Sequence, residues 1–202
     1  MTAADAQRWN ARYTGRPLAT SQRPDALDDE TEAAVPTSGR ALDVACGAGA
    51  QSVWLAGRGL EVLALDVADE AVRLTREACS AARLPDRVDV RVVDLDDGLP
   101  DRPDSFDVIV CQRFRATHLY DAFVERLAPG GVAIVTVLSR TGADDPGPFH
   151  APTGELLATF DRPDTELLRH VEGDGQESLV VRRRTNHKPP NRGVSGRLPG
   201  RA

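Results

Sequence analysis

Apolar positions along the chain gather into short, near-continuous runs separated by stretches of helical spacing. The runs are "ALDVA", "EVLALD", "RVDVRVVD", "FDVIVCQ" and "GVAIVTVL". Strands that are apolar on both faces, with helical stretches between them, predict a parallel sheet covered on both sides. In "VADEAVRLTREACSAARL", Val67, Ala71, Val72, Thr75, Ala78, Cys79 and Ala82 recur at spacings of three and four, forming one face of a helix. Asp69 and Glu70 suit its N-terminus, and Cys79 falls on the packed face, which argues against a reactive thiol. Upstream, Trp9 and Tyr13 stand four apart in "ADAQRWNARY", on one side of a short helix, and "DALDDETEAAV" predicts another. Downstream, "SRTGADDPGPFHAP" reads as a loop and "TGELLATF" as a helix. "TELLRHVE" and "ESLVVRRR" flank Asp174-Gly175, a hairpin signal. The predicted fold is α/β: a doubly wound, seven-stranded, mostly parallel sheet ending in an antiparallel hairpin.

The segment "DVACGAGAQS" links the first strand, ending near Ala45, to a helix beginning near Gly49. Gly47 and Gly49 let backbone turn sharply and approach a ligand, at the carboxyl end of a central strand where such sheets bind ligands. The dinucleotide pattern G-x-G-x-x-G needs a third glycine at position 52, which is Ser52. Asp43 lies inside the strand before the loop, where a carboxylate repels a pyrophosphate and suits an ammonium group. Asp66 closes "EVLALD", placed to accept from two ribose hydroxyls. Asp94 closes "RVVDLD", where a carboxylate can accept from an adenine amine. An amino-acid end, a ribose and an adenine without phosphate describe S-adenosylmethionine.

On these elements the chain resembles class I S-adenosylmethionine-dependent methyltransferases across residues 9–184. The carrying stretches are "LDVACGAG", "LALD", "VVDLDDGLP", "FDVIVCQ" and "RLAPGGVAIVTVL", in that order. The resemblance implies that Asp43, Ala45, Cys46, Gly47 and Gly49 form the cofactor loop. It also places Asp66 at the ribose and Asp94 with Leu95 at the adenine, and counts Val67 and Cys111 among the cofactor-binding residues. Ala45 departs from the motif, which more often has glycine there. The implied organisation is a helical cap over the active site at residues 1–36, a cofactor-binding core at 37–184 and a disordered basic tail at 185–202. The start "RW-ARY" and the close "EGDGQESLVVRRR" are similar to the branch around tellurite-resistance and thiopurine methyltransferases, which implies thiol, chalcogen oxyanion or similar soft acceptors.

Methyl transfer from a sulfonium needs mainly alignment when the acceptor is already a good nucleophile. The expected acceptor contacts are Trp9, Tyr13, Gln112 and Arg113. Arg113 would hold an anion, and His118 would be the base if one is used. No Asn/Asp-Pro-Pro-Tyr/Phe signature follows the fourth strand, which argues against amino-methylation of DNA bases or glutamine. A cofactor-binding protein without turnover, and a nicotinamide oxidoreductase, are the rival readings. Against the second, Lys188 is the sole lysine, so no Tyr-x-x-x-Lys pair exists.

Charge sharpens the choice of partner. The net charge is −6, and setting aside the tail's four cations (Lys188, Arg192, Arg197, Arg201) leaves −10 on the rest. Phosphate-binding proteins need a basic face, so a nucleic-acid partner is not expected. Cys46, Cys79 and Cys111 form no CxxC pair, and neither a disulfide framework nor a metal site is expected. The chain has no apolar run near the roughly 18 residues that read as a spanning helix, and "MTAADAQRWN" lacks signal-peptide character. A cytoplasmic monomer or homodimer acting on a small molecule, away from membranes, is the expectation.

Overall fold

The computed structural model describes residues 3–100 and 105–185. Seven strands form one sheet: β1 (Arg40–Val44), β2 (Glu61–Asp66), β3 (Val88–Val92), β4 (Phe106–Gln112), β5 (Leu127–Leu138), β6 (Thr165–Gly173) and β7 (Gln176–Arg183). Their order across the sheet is β3-β2-β1-β4-β5-β7-β6. The first five strands pair in parallel, whereas β7 runs antiparallel to both β5 and β6. Asp174 and Gly175 both have positive φ, 49° and 76°, as the predicted two-residue hairpin turn requires.

Strand side chains alternate between the two faces and feed two clusters. Leu42, Val44, Ile109, Cys111, Ala133 and Val135 pack with Tyr120, Phe123 and Phe160 on one face. Ala41, Val62, Ala64, Val108, Val110 and Ile134 pack with Trp54, Leu55 and Val72 on the other. Helices cover both faces: α1 (Ala3–Tyr13), α2 (Asp29–Ala33), α3 (Ala50–Gly57), α4 (Asp69–Ala81), α5 (Tyr120–Arg126) and α6 (Glu155–Phe160). Strand order reverses between β1 and β4, so a crevice opens beyond their carboxyl ends.

Three local differences from the sequence expectation have physical causes. The second predicted helix shrinks to α2, because Asp28 and Thr31 close a capping box at its start. Ala26, Leu27 and Val35 around α2 are buried in the α3-side cluster, so this part of the N-terminal segment is core. Strand β3 stops at Val92, and Asp94 does not close it. The Asp94 side chain instead accepts from Asp96 N at 3.0 Å and starts a 3-10 turn, Leu95–Asp97. The tail expected from residue 185 lies, from 186 onward, outside the described residues. Among the described residues, no helix is long and apolar enough to cross a membrane.

Candidate functional site

Beyond β1 the chain enters the left-handed region three times within five residues: Ala45 (φ 55°), Gly47 (58°) and Gly49 (89°). The turn is tied down by Cys46 N donating to Leu65 O at 2.9 Å and by Gly49 N donating to Cys46 O at 3.0 Å. A side chain at Gly49 would strike Thr75, including its Cα at 2.9 Å. That glycine is therefore demanded by the approach of α4. A side chain at Gly47 would meet Tyr13 Oη at 2.8 Å, so the last residue of α1 stands directly over the loop.

Ala45 has no such release. Left-handed backbone costs an L-residue about 1–2 kcal/mol, and glycine returns part of the gain as about 0.5–1 kcal/mol of entropy. Ala45→Gly is therefore expected to stabilise the fold by about 0.5–1 kcal/mol, a Tm rise of about 1–4 °C in a thermal melt. An unchanged or lowered Tm would mean that the Ala45 methyl is held by favourable contacts.

Asp66, at the end of β2, is 6% exposed and bridges two segments. Its Oδ2 accepts from Gly47 N and its Oδ1 from Ala68 N, both at 2.9 Å. Burial raises its pKa, against the pull of those N–H donors. With Val67 N also acting on it, the carboxylate still keeps acceptor capacity for a ligand hydroxyl. Beneath the loop, Asp43 is 2% exposed and accepts from Ser52 Oγ at 2.5 Å. Burial pushes its carboxyl up to about 7, while the Ser52 hydrogen bond pulls it down. Thr75 Oγ1 donates to Gly47 O at 2.9 Å. Helical spacing places Thr75 on a packed face, but its hydroxyl's use for the loop is a tertiary fact that spacing does not carry.

The cap helix is fixed over this loop. Asn10 Oδ1 accepts from Glu70 N at 2.9 Å, in the first turn of α4. Trp9 and Tyr13 stack with ring centroids 6.3 Å apart, and Arg8 lies over Phe149 of the loop after β5. Burial first, then the Asp66 carboxylate, raises the Tyr13 phenol to about 12, so it stays protonated. Beside it, Arg16 lies 5.4 Å over the Tyr13 ring. Arg16, Thr20, Gln22, Ala48 and Ala50 are among the residues that line a cavity of about 410 Å³ against the glycine loop.

The remaining predicted residues distribute unevenly. Val67 is half-buried beside Asp66. Leu95 is fully buried, and its carbonyl meets His118 Nε2 at 2.9 Å. A carbonyl only accepts, so Nε2 carries a proton and donates to it. Cys111 is fully buried, its thiol donating to Phe114 O and held protonated by burial. Gln112 folds its amide onto Ile134 O at 3.4 Å. Arg113, in left-handed backbone at φ 58°, faces Asp25 at 3.6 Å with both side chains largely exposed. Arg115 instead pairs with Glu155 of α6 through two nitrogens. Tyr13, Gly47 and Asp66 are thus brought together, as are His118 and Leu95, while Arg113 meets the segment after α1 through Asp25.

A seven-stranded sheet in this order, with an antiparallel β7 and acids at the ends of β1 and β2, is the class I methyltransferase fold. Residues 41–131 match the family model of the methyltransferase domain. The chain is 33% identical over 141 residues to a ubiquinone biosynthesis O-methyltransferase of Xanthomonas campestris pv. campestris, covering 67% of this chain and 57% of that protein. It spans about half the length of the curated relatives it matches. Among solved structures, TehB from Haemophilus influenzae superposes with TM-score 0.67 at 18% identity, covering 87% of this chain and 67% of that one. The [4+2]-cyclase SpnF superposes with TM-score 0.64 at 17% identity over 90% and 93% of the two chains. Residues 41–131 therefore match a methyltransferase domain, and the fold is the one shared by S-adenosylmethionine-dependent methyltransferases of known structure, which implies that cofactor.

Proposed function

We propose that this protein binds S-adenosylmethionine in the crevice beyond β1, β2 and β4 and methylates a small-molecule nucleophile by in-line displacement. The carrying observation is the Asp66 carboxylate, which fixes the glycine loop through Gly47 N and keeps lone pairs for ribose hydroxyls. The cofactor would supply the electrophilic sulfonium methyl. In this reading Asp43 serves the ammonium end, while Asp94 and Leu95 border the adenine. His118 holds the Leu95 carbonyl, and Val67 and Cys46 flank the pocket. Arg16, in the cavity against Ala48 and Ala50, offers a cation to a carboxylate. Trp9, Tyr13, Gln112 and Arg113 face the acceptor, and Arg113 attracts an anionic one.

A soft acceptor, thiol or chalcogen oxyanion, needs no general base, only the alignment that α1 and the crevice impose. A second reading, transfer to a hydroxyl, is favoured by the name of the Xanthomonas relative. It requires a base, and the candidate is His118, whose Nδ1 is the ring nitrogen not engaged by the Leu95 carbonyl. Turnover with labelled S-adenosylmethionine on a panel of thiols, oxyanions and phenols separates the two. The soft-acceptor reading expects thiol or oxyanion turnover that His118→Gln leaves within a few-fold. Phenol turnover that falls by about 10²–10⁴ in His118→Gln supports the second reading. S-adenosylhomocysteine binding with no turnover on the panel would leave a cofactor-binding protein.

A further inference from the structure

The position at which the glycine pattern breaks, Ser52, is fully buried on the first turn of α3. A fully buried hydroxyl needs a partner, and here the partner is Asp43, itself 2% exposed, at 2.5 Å. Serine at this point therefore ties the start of α3 to the carboxyl end of β1, beneath the loop that the crevice uses. We propose that Ser52 is a positioning residue for Asp43, holding its carboxylate in place and as an anion for the cofactor's ammonium end. The inference rests on the cofactor reading above and adds to it a residue that acts through another.

The surroundings of Asp43 supply little else to keep it charged. Asp66, from β2, disfavours the anion, as burial does more strongly. The thiols that feel the Asp43 charge are Cys46 on the loop, Cys79 on α4 and Cys111 on β4, and burial keeps each of them protonated. The hydrogen bonds from Ser52, side chain first and backbone second, are what favour the anion. An ammonium group arriving beside Asp43 also favours the anion, so binding below and around neutrality releases a proton. Affinity should then rise with pH through the neutral range. Without the Ser52 hydroxyl the carboxyl ionises at higher pH, and the rise moves upward with it.

The test is calorimetric titration of the full chain with S-adenosylhomocysteine from about pH 6 to about pH 8.5, in two buffers of different ionisation enthalpy. Wild type is expected to release a proton on binding near neutral pH and to bind more tightly as pH rises. Ser52→Ala is expected to bind about tenfold or more weakly at the acidic end, with the gap closing toward the alkaline end. Ser52→Thr, which keeps the hydroxyl, should restore the profile, and Asp43→Asn should bind without proton release. Thermal melts report whether each variant folds. A Ser52→Ala deficit that is equal at every pH, or wild-type binding without proton release, overturns the proposal and leaves the cofactor reading standing. Wild type that binds no S-adenosylhomocysteine at any pH overturns the cofactor reading itself.

Discussion

Asp66→Ala is expected to weaken S-adenosylhomocysteine binding by about 100-fold or more and to lower stability by about 2–4 kcal/mol. Two losses add. Hydrogen bonds from two ribose hydroxyls to a carboxylate are worth about 1.5–3 kcal/mol, roughly 10- to 150-fold in affinity. The same carboxylate also satisfies Gly47 N and Ala68 N, both donating at 2.9 Å in a site almost closed to water. Truncation leaves these N–H groups without their acceptor at about 1–3 kcal/mol each, reduced where water enters. The loop whose Gly47 they position then loosens, so binding falls by more than the ribose contacts alone. Asp66→Asn is the sharper probe. Its amide can accept from one of the two N–H groups but presents a donor to the other, and an intermediate loss is expected in both assays. Calorimetry and a denaturant titration check the pair. A destabilised Asp66→Ala that binds with wild-type affinity would move the ribose contact to another residue.

Glu177→Leu is expected to cost about 3–5 kcal/mol of stability, a Tm drop of about 6–20 °C. Glu177 is the fully buried carboxylate of β7, and its oxygens accept from Leu156 N and Leu157 N at 3.0 and 3.1 Å and face His170 Nε2 at 3.0 Å. The two N–H groups open α6, whose start has no side-chain cap of its own, so Glu177 reaches across from the sheet to satisfy it. His170, Glu172 and Glu177 gather with ring nitrogen and carboxylate oxygens within 4.8 Å of one another. Glu172 in turn accepts from Ser139 and Thr141, on the loop after β5, and from Gly154 N. Together they clamp that loop and α6 to the closing hairpin. Because Glu155 of α6 holds Arg115 beyond β4, loosening α6 also loosens one wall of the proposed acceptor side. Glu177→Gln, which keeps the shape and one acceptor, should lose only about 1–2 kcal/mol. A Glu177→Leu melt within a degree or two of wild type would show that water replaces the carboxylate at little cost.

The domain match covers residues 41–131, the part of the chain that builds the cofactor crevice. Of the residues expected to face the acceptor, Trp9 and Tyr13 of α1 lie outside that stretch, while Gln112 and Arg113 lie within it. A cyclase sharing the fold at TM-score 0.64 illustrates why the acceptor must be found by assay.

The sequence alone determined the sheet and the place of the crevice. Near-continuous apolar runs buried both faces of β1, β2, β4 and β5 through most of their length, whereas β3, at the sheet edge, exposes Asp89 and Val92, and Asp174-Gly175 admitted a hairpin at the close. The glycines after Val44 and the acids at 43 and 66 marked one end of the sheet as the ligand end. These are local or periodic signals, which a one-dimensional reading captures. Only the tertiary structure decided which partners those side chains take. Ser52 and Asp43 lie nine residues apart and meet because α3 folds back over β1. Thr75 reaches Gly47 from 28 residues away, and Glu177 caps a helix 21 residues upstream. Asp94 left the strand because its own side chain found Asp96 N, and His118 turned to the carbonyl of Leu95. Hydrogen-bond pairing of buried polar groups is set by packing in three dimensions. A pattern that assigns residues to faces can show that a buried acid needs a partner, but it cannot say which one.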